Sequence, residues 1–293
     1  MAEIIFQSKI DANRFYNHLL TYLPFNSDKN TILLIEDRHI VQVLDDIFSN
    51  DMFNKVKKAF YDFITTVKRD DWFRDIIKNH YFFQDEEEQQ SIMEIIYSIL
   101  EGQREDLAVF LKETKKETNF IEEAVDHIFQ DKVSFSFDAL LKFRLRPYLQ
   151  MLEEYVELAI DEYKMEQEYQ MFIQMLRDFL VKREPKISTL HVLFDEEITF
   201  YNENLEEIKR AELTKMIDRK LLVNHPVYVD SVSIAPLLSI APTSIFLYTK
   251  NPDEPLVRTI KNIFEERVTT KNFTALRSLK KWKLDQESSE NHA

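Results

Sequence analysis

Residues 134–184 read SFSFDALLKFRLRPYLQMLEEYVELAIDEYKMEQEYQMFIQMLRDFLVKRE. From Leu145, an apolar set recurs at seven-residue steps through Leu152 and Ala159, and again at Ile173 and Leu180. Tyr148, Tyr155 and Tyr169 form a second set three residues further along. This spacing predicts one long helix with a buried seam. Ser136 is placed to cap a first turn containing Asp138, and Pro185 stops the pattern after Lys182 and Arg183. Pro147 has no amide hydrogen, so it either opens the long helix or kinks one that began near Asp138. A helix from Pro147 to Arg183 would be about 55 Å long. Met151, Val156, Leu158 and Phe172 are apolar off the seam, where a two-stranded coiled coil would be polar. Neighbours on more than one side are therefore expected. Glu162 and Glu166 interrupt both apolar sets. A carboxylate pair at this spacing is compatible with metal ligation, but a polar waist or bend explains it more simply. The stretch has no histidine, so the Glu-x-x-His pairs of di-iron bundles are missing.

Outward from this stretch, the N-terminal side reads as a small α/β unit. Strands are expected at Ala2–Ser8, Thr31–Glu36 and His39–Val43, with helices from Asp11 and over Asp51–Val67. Residues 70–131 read as helical. Asp70 or Asp71 can cap one helix, Asp85 with Glu88 makes a capping box, and Gly102 sits where a C-cap glycine belongs. Glu105–Lys115 reads as a shorter helix, and Asn119 with Glu122 opens another. After Pro185 the period changes to two. A hairpin is expected over Ile187–Phe194 and Glu197–Tyr201, turning at Asp195-Glu196. Asn204 with Glu207 would open a helix to about Leu222. Thr243–Thr249 reads as a strand, Leu256–Glu266 as a helix and Val268–Thr270 as a last strand. The expected fold is α+β and predominantly helical: a helical bundle around one long helix, with a small α/β unit at each end. The expected segments are 1–69, 70–184, 185–284 and a polar tail, 285–293.

Composition excludes several chemistries. Gly102 is the single glycine among 293 residues. Walker loops, dinucleotide-binding turns and nucleophile elbows each need several glycines. With no cysteine, thiol nucleophiles, iron–sulfur clusters and cysteine zinc sites are impossible. A net charge of −14 argues against general nucleic-acid binding, which depends on neutralising phosphates. No apolar run approaches the roughly 20 residues that span a bilayer, and no signal peptide is recognisable.

Phe143-Arg144-Leu145 is followed by Tyr148, then Glu153-x-x-Val156-x-x-Ala159-Ile160-Asp161-Glu162-Tyr163, then Glu168-Tyr169-x-x-Phe172-Ile173. Together with Asp70-Asp71-Trp72, the run Gln84–Gln90, Leu238-Ser239-Ile240-Ala241-Pro242 and Ile260-x-x-Ile263-Phe264-x-x-Arg267-Val268, these stretches resemble the YtxC-like family of endospore-forming bacteria. The resemblance spans most of the chain. It implies a cytoplasmic protein linked to sporulation, and it supplies no catalytic residue.

Each candidate site has a simpler structural explanation beside it. The acidic run Asp85–Glu88 fits a helix start. Glu123 and His127 lie one helical turn apart but lack a third ligand for a metal-dependent hydrolase. Glu36 and His39 fall at a turn, and His18 reads as a satisfied core histidine. His225, Asp230 and Ser231 or Ser233 have triad residue types without an oxyanion hole. Arg144 and Arg146, beside Phe143, need acceptors: either an internal ion pair or an outside anion or partner. The sharpest charge signal is at the end of the chain. Eight basic and two acidic residues lie between Arg258 and Lys283. There Phe273, Leu276, Leu279 and Trp282 recur among Arg277, Lys280, Lys281 and Lys283. A basic amphipathic helix over 271–283 could meet a membrane surface, nucleic acid or an acidic protein, or dock on the chain's own acidic body. The residues point to a non-enzymatic protein with an unidentified protein partner, and the resemblance implies that it is cytoplasmic. They give no catalytic residue, metal, cofactor or small-molecule ligand.

Overall fold

The computed structural model describes residues 2–22, 32–44, 50–111, 117–130, 134–181, 183–195, 197–218, 232–279 and 281. The chain divides into two units, Met1–Met165 and Glu166–Ala293. Their secondary structure is predominantly helical with two small mixed sheets, as the sequence predicts.

In the first unit, β1 (Ala2–Ile5) leads to α1 (Lys9–Thr21), whose N-cap Ser8 accepts from the Asp11 amide. β2 (Ile32–Ile35) and β3 (Ile40–Val43) form the expected hairpin. It closes through a 3-10 turn at Glu36–Arg38, with His39 at φ 54°. Next comes one helical run. α2 (Asn50–Asp62) and α3 (Arg69–Asp75) are each followed by a π-helical segment, Phe63–Lys68 and Ile76–His80. The helix start expected at Asp70 or Asp71 is therefore not used. These carboxylates meet side chains instead: Asp71 pairs with Arg14 at 2.6 Å and Lys68 at 3.3 Å, and Asp70 with Arg69 at 3.5 Å. α4 (Glu86–Leu100) starts as predicted, with one Asp85 carboxylate oxygen accepting from the amides of Glu87 and Glu88. Gly102, at φ 73°, ends it by donating its amide to the Ile99 carbonyl.

α5 (Glu105–Ala108) is shorter than expected, and α6 (Glu117–Gln130) follows. β4 (Phe135–Ser136) then pairs parallel with β1, giving the order β2-β3-β1-β4. The opening of the stretch 134–184 thus completes the N-terminal sheet, and the boundary expected at residue 69 falls inside a continuous helical run. The N-terminal unit and the bundle share one core as a result. Its centre is a phenylalanine cluster in which the Phe6 ring lies 5.0 Å from Phe137 and Phe15 lies 5.2 Å from Phe63. α7 (Phe137–Phe143), capped by Ser136, and α8 (Arg146–Val181) are separate helices, with Pro147 in the first turn of the second. Leu145, Leu152, Val156 and Ala159 are fully buried in this first core. Each large apolar side chain so buried contributes about 1.5–3 kcal/mol.

The second half of α8 belongs to another core. Ile173, Leu176 and Leu180 pack with residues of β5 (Thr189–Phe194), such as Val192, and of β7 (Ser244–Thr249), such as Leu247. The sheet order is β6-β5-β7-β8, with β6 (Ile198–Tyr201) antiparallel to β5, and β8 (Val268–Asn272) parallel to β7. The capping box expected at Asn204 and Glu207 does not form. The Asn202 side chain instead accepts from the amides of Asn204 and Glu206, holding a turn, and α9 begins at Arg210 and ends at Met216. α10 (Ile234–Ile240) is buried on all sides, and α11 (Pro255–Phe264) buries Val257, Ile260 and Ile263. The expected triad residues His225, Asp230 and Ser231 and the tail 285–293 lie outside the described residues.

Candidate interaction site

The connector between α7 and α8 is held firmly. The amides of Arg144 and Leu145 both donate to the Leu140 carbonyl, at 2.8 and 3.1 Å, and the Leu149 amide donates to the Leu145 carbonyl at 3.0 Å. Leu145 is fully buried, and Leu140 and Tyr148 are each 4% exposed. Between these anchors Phe143 is 74% exposed. Lys142, Arg144 and Arg146 around it are exposed too, and the Lys142 ammonium lies 5.8 Å from the Phe143 ring centre. No carboxylate among the described residues pairs with either arginine. Arg146 is also the first residue of α8, whose first turn has no acidic side chain. The helix dipole disfavours a cation there by about 0.3–1 kcal/mol. Neither helix stability nor core packing accounts for Phe143 and Arg146, which form a rigid, basic, aromatic knuckle.

Further along α8, residues 164–168 are all exposed, so Glu166 and Glu168 face water. Glu162 accepts from Arg104 at 2.7 Å, and Arg104 also pairs with Asp106 at 2.9 Å. Both partners hold the guanidinium proton more tightly than usual. The interruption of the apolar seam is polar, with Glu162 used as a structural anchor within the first unit.

A model of the YtxC-like family matches residues 54–269. The Uncharacterized protein YtxC of Bacillus subtilis (strain 168) is 36% identical over 270 residues, covering 92% of this chain and 93% of the relative. This chain belongs to the YtxC-like family. No solved structure matches it. The segment matched to the YtxC-like family includes the knuckle, with Phe143, Arg144, Leu145 and Tyr148, and also Glu168 and Tyr169. It stops before Phe273.

Beyond the matched segment, residues 273–279 are helical. Phe273 and Leu276 are 8% and 2% exposed, and Leu276 packs with Tyr201 and Tyr248. Phe273 and Leu276 are thus buried on their own unit. Cations of the basic segment stack on aromatic rings: Lys271 on Phe246 at 4.2 Å, and Arg277 on Phe273 at 5.5 Å. Arg277 and Lys281 remain exposed, whereas Lys280, Trp282 and Lys283 lie outside the described residues.

Three arrangements escape sequence reading. His191 Nδ1 and the Tyr248 hydroxyl are 2.9 Å apart, and both residues are buried. Burial, and then the charge of Lys271, lower the histidine pKa, while burial raises that of the tyrosine. Lys68, 8% exposed, lies 3.0 Å from both carboxylate oxygens of Asp11. Arg177 donates to the Asn262 carbonyl at 2.8 and 2.6 Å and pairs with Glu265, whose φ is 49°. Their partners lie tens of residues apart, so no local pattern marks them.

The remaining candidates are dispersed. Glu123 and His127 are exposed, and among the described residues no group of three His, Asp or Glu is placed to hold a metal. His18 lies between Tyr22 and Phe63, its pKa lowered by burial, and its Nε2 has no hydrogen-bond partner among the described residues. The Tyr22 hydroxyl donates to Asp62 at 2.6 Å, which pushes the tyrosine pKa up to about 12. Asp62 lines a cleft of about 520 Å³ between α2 and α6, which also contains the Lys57–Asp126 ion pair. Among the described residues, no helix is long and apolar enough to cross a membrane.

Proposed function

We propose that this member of the YtxC-like family is a cytoplasmic, non-enzymatic protein of sporulating cells that works by binding another protein. The observation that carries the reading is the knuckle: an aromatic ring 74% exposed, set among Lys142, Arg144 and Arg146 on an ordered backbone. Arginine and aromatic residues are enriched where protein partners bind, and pre-ordered backbone lowers the entropy cost of association. Three cations in a chain of −14 make a short track for nucleic acid. The sporulation link rests on the family resemblance.

The test is complementation in an endospore-forming host lacking its own homologue. The wild-type gene is expected to restore spore yield, and the triple variant F143A/R144A/R146A, folded by circular dichroism, to fail. Full complementation by the triple variant removes the knuckle from the function, and metal- or nucleotide-dependent turnover by the pure protein overturns the non-enzymatic reading.

A second reading, contact with an anionic membrane or nucleic acid through 271–283, is favoured by the exposed Arg277 and Lys281. Because Phe273 and Leu276 are buried, neither of these side chains would take part in such a contact. R277E/K281E should then abolish co-sedimentation with anionic vesicles and gel shifts, and binding left unchanged rejects it.

A further inference from the structure

We infer that the knuckle binds a second copy of this chain, the two α8 helices lying antiparallel across a two-fold axis at Gln150. This rests on the reading of the knuckle as a protein-binding surface and specifies the partner. One outward face of α8 carries Arg146, Gln150, Glu154 and Glu157, all exposed, at steps of four, four and three residues. The basic block 142–146 therefore lies on one side of an uncharged residue, and an acidic block lies on the other. The axis at Gln150 sets Arg146 of one copy against Glu154 of the other, because both lie on α8 four residues from Gln150. At about 1.5 Å per residue, Arg146 and Glu154 each lie about 6 Å from the axis. The same contacts repeat on the other side, as an isologous interface requires.

Among the described residues, both blocks lack ion-pair partners. Lys142, Arg144, Arg146, Glu154 and Glu157 form no ion pair with described residues, whereas Glu153 is occupied by His80 at 3.5 Å. The acidic block makes itself felt locally: after burial, the charges of Glu157, Glu153 and Asp161 raise the Tyr81 pKa. A patch of one sign fits a foreign partner of the other sign. A face with both signs, balanced about a neutral centre, fits itself, and it gives the negative chain an attractive surface that its net charge would otherwise deny.

Sedimentation equilibrium of the full chain tests this. Wild type should self-associate at low salt, with a Kd that rises about tenfold or more at high salt. R144E/R146E and E154R/E157R should each be monomeric, since each opposes like charges. Mixed in equal amounts, they should form a one-to-one complex, because the new glutamates of one meet the new arginines of the other and the native pairs stay matched. Pairing of two monomeric variants also shows that both are folded. The inference is overturned by a wild type that stays monomeric up to about 1 mM at low salt, or by variants that do not pair. A monomeric wild type with a knuckle variant still failing in spores assigns the knuckle to another protein; dimerisation with full complementation by the knuckle variant sinks the proposed function instead.

Discussion

His191 is a titratable residue buried in a sheet, held by the Tyr248 hydroxyl at 2.9 Å. Its folded pKa is below the ordinary 6.5, so the unfolded chain takes up the proton first as pH falls. The stability that goes with the neutral ring is complete above about pH 6.5 and is lost as pH falls toward the lower folded pKa. His18 acts in the same direction in the other unit. His191→Gln should flatten the decline in urea-measured stability from about pH 7 to about pH 5; an unchanged slope would show that His191 does not carry it. Gly102 offers a simpler case. A methyl group there meets nothing within 4 Å, so Gly102→Ala costs only the strain of φ 73°, about 1 kcal/mol in thermal or chemical unfolding. A loss several times larger would mean that the C-cap does more than turn the chain.

The long helix shows how one element serves two purposes. Its apolar seam was legible from Leu145 to Leu180, and so was the gap at Glu162 and Glu166, because helical periodicity is local. That the two halves of the helix belong to different cores was not legible, since it depends on which strands and helices return to pack on each half. The knuckle was legible as an arginine pair needing an acceptor; its exposure was not, because exposure is decided by what fails to cover it. At the end of the chain, the helix expected over 271–283 begins only at Phe273, because Lys271 and Asn272 belong to β8, and only the fold shows what Phe273 and Leu276 dock on. Phe273→Ala should cost about 3 kcal/mol or more and expose residues 273–279 to hydrogen exchange. Unchanged protection there would show that the segment is not held by this side chain.

At the scale of the whole molecule, the described residues form two large cores, one holding Leu152 and the other Leu247, and a small cluster of Tyr201, Tyr248 and Leu276. Leu152→Ala should remove about 2–5 kcal/mol and lower hydrogen-exchange protection in peptides of residues 1–165, while Leu247→Ala should do so in 166–293. A uniform loss across both units in either variant would mean that they unfold as one. The boundary expected near residue 69 missed this division. Parallel pairing of Ile4 with Phe135 joins segments more than a hundred residues apart, and nothing local announces such a partner.

By itself the sequence determined the helical and strand periods, the caps at Asp85, Ser136 and Gly102, the seam of the long helix and the family. All of these are written in residues close together along the chain. Only the tertiary structure decided that residues from Ile4 to Ile160 share one core, that Lys68 and His191 are buried with partners, and that Phe143 stands out among cations. Those outcomes depend on which distant surfaces exclude water from a side chain, and water exclusion is a property of the packed fold rather than of any local pattern.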